Sequence, residues 1–399
     1  MKYFFLGLLW SPISEYSIKK KLRKQIVYPS EKFQWSLIHG LDHVLNDPLT
    51  IINFLPVGSY PKYCSFLFLH SKEWSHSENA HDYEIGSINL PILKQLWRII
   101  SLRLKLNRLI SKSREPITIF LYSMYLPFLL AIKGIHEDIK IVCIVTDLPE
   151  YYDLERVGSL RTILRYFNNR IIYNNLKRIN GYVMLTKQMS KVLGVDNKPQ
   201  IVIEGIIDPE LHIRTYNEKK ENAILYSGTL NYKYGIKEFL EAFRMIRNNS
   251  INLWICGAGE AENYIINASK TDPRIKYFGV LDWSELALLQ QRARLLVNPR
   301  MNIGEYTKYS FPSKMMEYLA SGTPVIAYKL DGIPEEYYRY VYWLEPGTKK
   351  DIASQIELLT AKSDEELIEF GRSARNFVLA EKNQDCQALK IIRAFKEKR

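Results

Sequence analysis

Tyr309-Ser-Phe-Pro-Ser-Lys-Met-Met-Glu-Tyr-Leu-Ala-Ser-Gly-Thr-Pro-Val-Ile-Ala327 places a polar loop, a short helix and the start of a buried strand in immediate succession. Backbone N–H groups at a helix N-terminus favour anions, and Lys314 adds a full charge in the first turn. One turn later Glu317 is placed to accept two hydrogen bonds from a ribose diol. Gly322 and Pro324 end the helix and turn the chain into Val325-Ile326-Ala327. The alternative is an ordinary helix-to-strand connection.

Working outward, strand and helix signals alternate along nearly the whole chain. Ile117–Tyr122, Lys140–Thr146, Gly181–Leu185 and Ile201–Ile203 are short β-branched runs separated by helical stretches, the pattern of a parallel sheet with crossover helices. A polar segment ends in Asn217-Glu-Lys-Lys-Glu-Asn222 and reads as a linker. A second alternation follows, with strands at Ala223–Tyr226, Ile251–Cys256, Ile275–Phe278, Leu295–Val297 and Pro324–Ala327 and helices at Ile236–Arg247 and Trp283–Arg292. The expected architecture is α/β: two Rossmann-like doubly wound domains facing a cleft. They span residues 1–208 and 222–378, joined by a linker at 209–221, and a terminal segment 379–399 carries a helix near Gln384–Lys398. In open parallel sheets ligands lie beyond the carboxyl ends of the strands.

Three further turns fall at such ends. Ser227-Gly-Thr-Leu-Asn-Tyr-Lys-Tyr-Gly235 follows a strand; its glycines allow close backbone approach to a diphosphate, and Lys233 supplies charge. Gly257-Ala-Gly259 lacks the third glycine of the dinucleotide fingerprint and reads as a strand-to-helix turn. Arg300, after Asn298-Pro299, is either a phosphate ligand or a solvated surface arginine. In the first half, Thr146-Asp147 closes a strand, where Asp147 either orients or deprotonates a substrate hydroxyl or caps the following helix.

Composition narrows the partners. The 399 residues are 47% hydrophobic and 25% charged, a normal globular balance, and a net charge of +12 favours anionic partners. Cys64, Cys143, Cys256 and Cys386 are too scattered for a disulfide framework or a Cys-x-x-Cys metal site. The apolar start Met1–Trp10 is too brief for a signal sequence and reads as a first buried strand, and no uncharged apolar run approaches the roughly 18 residues of a membrane span. The basic residues lack the aromatic platform or helix-turn-helix layout of a nucleic-acid binder.

Taken together, Leu225-Tyr-Ser-Gly-Thr-Leu230, Gly235 with Phe239–Phe243, Ile255-Cys-Gly-Ala-Gly-Glu260, Gly279-Val-Leu281 and Phe311–Ile326 resemble the nucleotide-sugar domain of family 4 glycosyltransferases, which have the GT-B fold. The resemblance runs from about Ile224 to Ala327. Phe311-Pro-Ser-Lys314 is similar to bacterial transferases that build capsule, exopolysaccharide or O-antigen. The resemblance implies that Glu317 binds the ribose, that backbone near Val280 meets the base, and that loops at Gly228 and at Ser310, Phe311, Pro312 and Ser313 hold the diphosphate and donor sugar. It further implies a UDP-sugar, or alternatively a GDP-sugar, as donor, retention of anomeric configuration, and a last helix that crosses back to the first domain. Two departures stand out: Tyr309 replaces the first acid of the family's Glu-x7-Glu pattern, and Thr229 replaces a common arginine while the lysine falls one place early, at Lys233. Lys314, Lys233 and Arg300 are the candidates to stabilise the departing diphosphate; with no Asp-x-Asp motif, no metal or other cofactor is expected.

The acceptor side rests on charge. Lys94–Arg114 holds seven Lys or Arg and no acid. At 100° per residue Lys94, Arg98, Lys105, Arg108 and Lys112 share an arc of about 80°, bordered by Trp97. That stripe reads either as a contact for an anionic membrane or as a solvated helix face; Arg156–Arg178 is a second basic stretch with scattered angles. The expectation is a peripheral enzyme on the cytoplasmic face of the cell membrane that meets a polyprenyl-diphosphate-linked glycan. A sugar-nucleotide epimerase of similar architecture and a non-catalytic partner subunit are the alternatives.

Overall fold

The computed structural model describes residues 1–23, 30–136, 138–151, 159–212 and 220–396. Part of the expected linker and part of the second basic stretch lie outside them. The chain divides into two compact units, Met1–Glu204 with Gln384–Arg399, and Gly205–Asn383.

The first unit holds β1 (Lys2–Gly7), β2 (Thr50–Asn53), β3 (Phe68–Leu69), β4 (Lys72–Trp74), β5 (Asp82–Glu84), β6 (Ser87–Ile88), β7 (Ile117–Tyr122), β8 (Lys140–Val145), β9 (Gly181–Met184) and β10 (Gln200–Val202). Eight of them form one sheet in the order β10-β9-β8-β7-β1-β2-β5-β4, parallel except for the edge pair β4–β5. β3 and β6 make a separate antiparallel ladder. Every residue of β7 is buried, as a strand covered by helices on both faces requires. Met1–Trp10 thus supplies a central strand, and the helix Gln384–Phe395 packs on the helix Ser30–Val44, with Lys140 Nζ donating to the Phe395 carbonyl at 2.6 Å.

The second unit holds β11 (Glu221–Ser227), β12 (Asn252–Cys256), β13 (Ile275–Tyr277), β14 (Ala293–Asn298), β15 (Val325–Tyr328) and β16 (Tyr342–Leu344), all parallel, in the order β13-β12-β11-β14-β15-β16. Counted within the unit this is 3-2-1-4-5-6, the doubly wound order of the Rossmann fold. Alternate residues of each strand feed opposite cores: Ile224, Leu253 and Leu295 join the side covered by the helix Ile236–Phe243, while Leu225, Trp254 and Leu296 join the side covered by the helix Ser313–Ser321.

Candidate active site

The strand order reverses between β11 and β14, and that switch point is where open α/β sheets hold ligands. β11 ends at Ser227 and β14 at Asn298, so the turns Ser227–Gly235 and Pro299–Arg300 emerge side by side. Their contact is backbone to backbone. At Gly235 (φ 77°) an added β-carbon would lie 2.2 Å from the Pro299 carbonyl oxygen, and at Gly257 (φ 129°) one would lie 1.9 Å from the Gly228 carbonyl oxygen. Gly228 and Leu230 donate N–H groups to the carbonyls of Cys256 and Ala258, tying the turn after β11 to the turn after β12. Gly257 therefore serves first as the close-approach point that seats Gly228.

The helix Ser313–Ser321 arrives at the same place. Its Tyr318 is buried, and the hydroxyl accepts the Ser227 N–H at 2.8 Å while donating to the Ser227 carbonyl at 2.9 Å. The helix begins at Pro312 without a side-chain cap and without an acid in its first turn, so no side chain competes for its first amides. That is the electrostatic setting of an anion site. Lys314 Nζ lies 2.8 Å from Glu317 Oε2, so the cation and the carboxylate, read separately from the sequence, form a pair across one turn. Glu317 also borders a shallow cavity with Trp283, Leu286, Ala287 and Gln290.

Arg300 settles between two aromatic rings, its guanidinium carbon 4.7 Å from the Tyr306 centroid and 5.6 Å from that of Tyr234. It donates to Ser310 Oγ at 2.9 Å and leaves a buried Nε–H without a hydrogen-bond partner among the described residues. This is an aimed, half-buried cation rather than a solvated one. Lys233 is exposed, 5.1 Å from the Tyr234 ring, and Thr229 and Val280 are open to solvent. Tyr309 and Ser310 are half-buried at the end of the turn Glu305–Tyr309. Phe311 and Pro312 are different: both are buried, Phe311 against Tyr337 with ring centroids 5.2 Å apart, so their side chains belong to the core and only their backbone is left for a ligand.

In the first unit Asp147 follows β8 in an exposed bend before the short turn Pro149–Tyr151. Although the residue reaches solvent, the protein packed around the carboxyl dehydrates it and pushes it up to about 6, against a smaller downward pull from a hydrogen bond with Thr146. The basic stripe is rearranged. Lys94 and Arg98 are buried, and this overturns their reading as membrane contacts. Lys94 Nζ donates to the Val57 carbonyl; Arg98 donates to the Leu55 carbonyl at 2.7 Å and to the Tyr125 hydroxyl at 2.8 Å, over the ring of Phe54. The loop after β2 has carbonyls that need donors inside the protein, and the two cations supply them. Burial, together with the nearby Arg98 charge, lowers Lys94 to about 7. Lys105 is half-buried over Tyr83 beside Glu73, and Arg108 and Lys112 are exposed.

Residues 208–377 match the family model described as glycosyl transferases group 1. That stretch covers most of the second unit. Over its whole length the chain is similar in fold to Staphylococcus aureus TarM, solved as a mutant in complex with fondaparinux, alpha-GlcNAc-glycerol and UDP (TM-score 0.62, 12% identity, 100% of each chain covered). Sucrose-phosphate synthase from Thermosynechococcus elongatus is also similar (TM-score 0.64, 14% identity, 99% of this chain and 98% of that one), as is Anabaena HepE in complex with UDP (TM-score 0.63, 12% identity, 98% and 99%). At these identities the likeness is one of fold, the GT-B arrangement of two Rossmann-like domains. No curated protein matches the sequence. Among the described residues no cluster of His, Cys, Asp or Glu has the makings of a metal site, and no helix is long and apolar enough to cross a membrane.

Within the second unit the sequence pointed to Gly228, Lys233, Arg300, Lys314 and Glu317. It missed Tyr318, whose hydroxyl holds two of those segments together, and the Tyr234 and Tyr306 rings that aim Arg300. Spacing carried no signal for them, because a tyrosine on a buried helix face reads as packing.

Proposed function

We propose that this protein transfers a sugar from a nucleoside-diphosphate donor, a UDP-sugar before a GDP-sugar, to a polyprenyl-diphosphate-linked glycan in bacterial surface polysaccharide synthesis, with retention of configuration. The observation that carries the reading is the junction of three anion-favouring features: the turn after β11, the Tyr-clamped Arg300 after β14, and the uncapped helix at Ser313, joined through Tyr318 and Ser310. Breaking the anomeric C–O bond leaves its electron pair on the diphosphate. Amide dipoles and the cations Arg300, Lys314 and Lys233 stabilise that charge more in the transition state than in the ground state. Glu317 takes the ribose diol, which releases Lys314 from its ion pair to face the diphosphate. The acceptor oxygen bonds to the anomeric carbon on the face the diphosphate leaves, and Asp147 orients that hydroxyl and takes its proton. No metal is assigned a role in this scheme. The protein would work at the cytoplasmic face of the cell membrane, where such acceptors present their glycans.

Tyr309, where the resembling family carries an acid, favours a second reading as a non-catalytic partner subunit. One experiment separates them: incubation with UDP- and GDP-sugars and a lipid-linked acceptor, following nucleoside diphosphate release and the sugar on the acceptor. Release coupled to transfer, abolished by Glu317→Ala, is expected. Donor binding without transfer would support the subunit, and conversion of the donor sugar without acceptor would make it an epimerase.

A further inference from the structure

The helix Leu93–Ser111 is amphipathic with its sides exchanged. Inward it carries Lys94, Arg98, Leu102 and Leu106; outward it carries Leu93, Leu96, Trp97, Ile100 and Leu104, all between 47% and 66% exposed, with Ile92 just before it at 77%. At 100° per residue those five outward residues occupy an arc of about 100°, a continuous apolar ridge in the first three turns. The ridge is flanked by Arg103 on one side and Arg108 on the other, and the helix contains no acid. β6 packs against this helix, and its partner β3 adds Phe68, 61% exposed, with Leu67 beside it. A run of large exposed apolar side chains on a soluble surface marks an interaction site. Arg103, which gives one N–H to the Lys133 carbonyl, and Arg108 border it without an ion pair among the described residues; such cations match a negatively charged lipid surface, where arginine meets phosphate and the ridge meets acyl chains.

We infer that this protein docks on an anionic bilayer by inserting the apolar ridge Leu93–Leu104 into the headgroup boundary, with Arg103 and Arg108 on the phosphates. The surface deepens the lipid-linked acceptor reading, since it brings the first unit to where such an acceptor sits, but it is read out by binding alone and stands apart from donor chemistry. Insertion differs from attraction by a charged stripe in one measurable respect: it survives salt. Screening at high ionic strength weakens headgroup contacts and leaves burial of Trp97, Ile100 and Leu104 intact.

The test is flotation of the full chain with phosphatidylcholine vesicles, with or without phosphatidylglycerol, in low and high salt. The wild type is expected to float with the anionic vesicles and to stay bound in high salt. The triple variant Trp97→Ser, Ile100→Ser, Leu104→Ser should lose at least about tenfold in partitioning, with an unchanged circular-dichroism spectrum and cooperative thermal unfolding as the sign that it folds. Arg103→Gln with Arg108→Gln should weaken binding to the anionic vesicles alone. As a second readout, brominated lipid should quench tryptophan emission in the wild type, and the quenching should fall in Trp97→Phe while that variant still floats. Binding lost entirely in high salt, or unaffected by the triple variant, would overturn insertion. A wild type that stays off vesicles but forms a dimer broken by the triple variant would assign the ridge to a second copy and overturn it equally.

Discussion

Replacing Tyr318 with phenylalanine removes one oxygen from the hub of the proposed donor site and leaves the ring's packing untouched. The hydroxyl accepts from the Ser227 N–H at 2.8 Å and donates to the Ser227 carbonyl at 2.9 Å, and both residues are buried. Tyr318→Phe therefore strands a backbone donor and an acceptor away from water. Each buried unsatisfied group costs about 1–3 kcal/mol, so the pair should cost ~2–4 kcal/mol once partial relaxation is allowed. For a unit of this size about 1 kcal/mol moves the midpoint by roughly 2–4 °C, which puts the expected fall at roughly 4–16 °C. Tyr226→Phe is the comparator: it loses one bond, to the carbonyl of exposed Thr229 at 2.8 Å, and should cost only about 0.5–1.5 kcal/mol. Thermal unfolding followed by circular dichroism, paired with nucleoside diphosphate titration, measures both consequences. Because the hub joins the turn after β11 to the helix carrying Lys314 and Glu317, Tyr318→Phe should also weaken nucleotide binding more than Tyr226→Phe does. A Tyr318→Phe protein with wild-type midpoint and wild-type affinity would refute the claim that this hydroxyl assembles the site.

Gly257→Ala places a β-carbon 1.9 Å from the Gly228 carbonyl on a backbone that side chains rarely adopt; strain of ~1–3 kcal/mol is expected from the conformation alone, read as a lower unfolding midpoint and weaker nucleotide binding. Asp147 with a carboxyl near 6 predicts that transfer falls as pH drops through about 6, when the base takes up its proton, and that Asp147→Asn loses activity along with this acid limb in a pH–rate profile. His76 lies between Asp82 and Asp42, at 2.7 and 2.6 Å; burial alone would lower its pKa, but hydrogen bonds and the two charges outweigh it and raise it to about 9. A group raised above its ordinary 6.5 contributes stability that is whole below about 6.5 and is lost as pH climbs through about 9, so the unfolding midpoint should fall across that window in the wild type and stay flatter in His76→Gln.

The strands of both units were legible where the chain is rich in β-branched residues. Ile117–Tyr122, Lys140–Val145 and Asn252–Cys256 are nearly continuous apolar runs, because parallel strands are covered on both faces. β4 and β5 were not legible, since β5 is Asp82-Tyr-Glu84 and buries two carboxylates, which periodicity reads as surface. Those acids are satisfied by tertiary partners, Asp82 by the Ile51 N–H and His76, Glu84 by Ser11 and Ser14, and none of these pairings shows in the local sequence. The helix Leu93–Ser111 exchanged part of its expected faces for a related reason: the carbonyls of Leu55 and Val57 drew Arg98 and Lys94 inward beside Leu102 and Leu106, and Leu93, Leu96 and Leu104 turned outward. At the candidate site, glycines, cations and helix start could be read because their spacing follows the strand ends. The ion pair of Lys314 with Glu317 and the aromatic clamp on Arg300 depend on side-chain directions that only the folded chain fixes.

The most direct measurement is a calorimetric titration of the full chain with a nucleoside, its monophosphate and its diphosphate, for the wild type and for Arg300→Ala. A guanidinium hydrogen-bonded to phosphate is worth about 1.5–3 kcal/mol, or roughly 10- to 100-fold in affinity. Affinity should rise with each phosphate, the diphosphate should bind well ahead of the nucleoside, and Arg300→Ala should erase most of that difference. Equal affinity for nucleoside and diphosphate, or an advantage for the diphosphate that Arg300→Ala leaves intact, would contradict a diphosphate grip built at the switch point between β11 and β14.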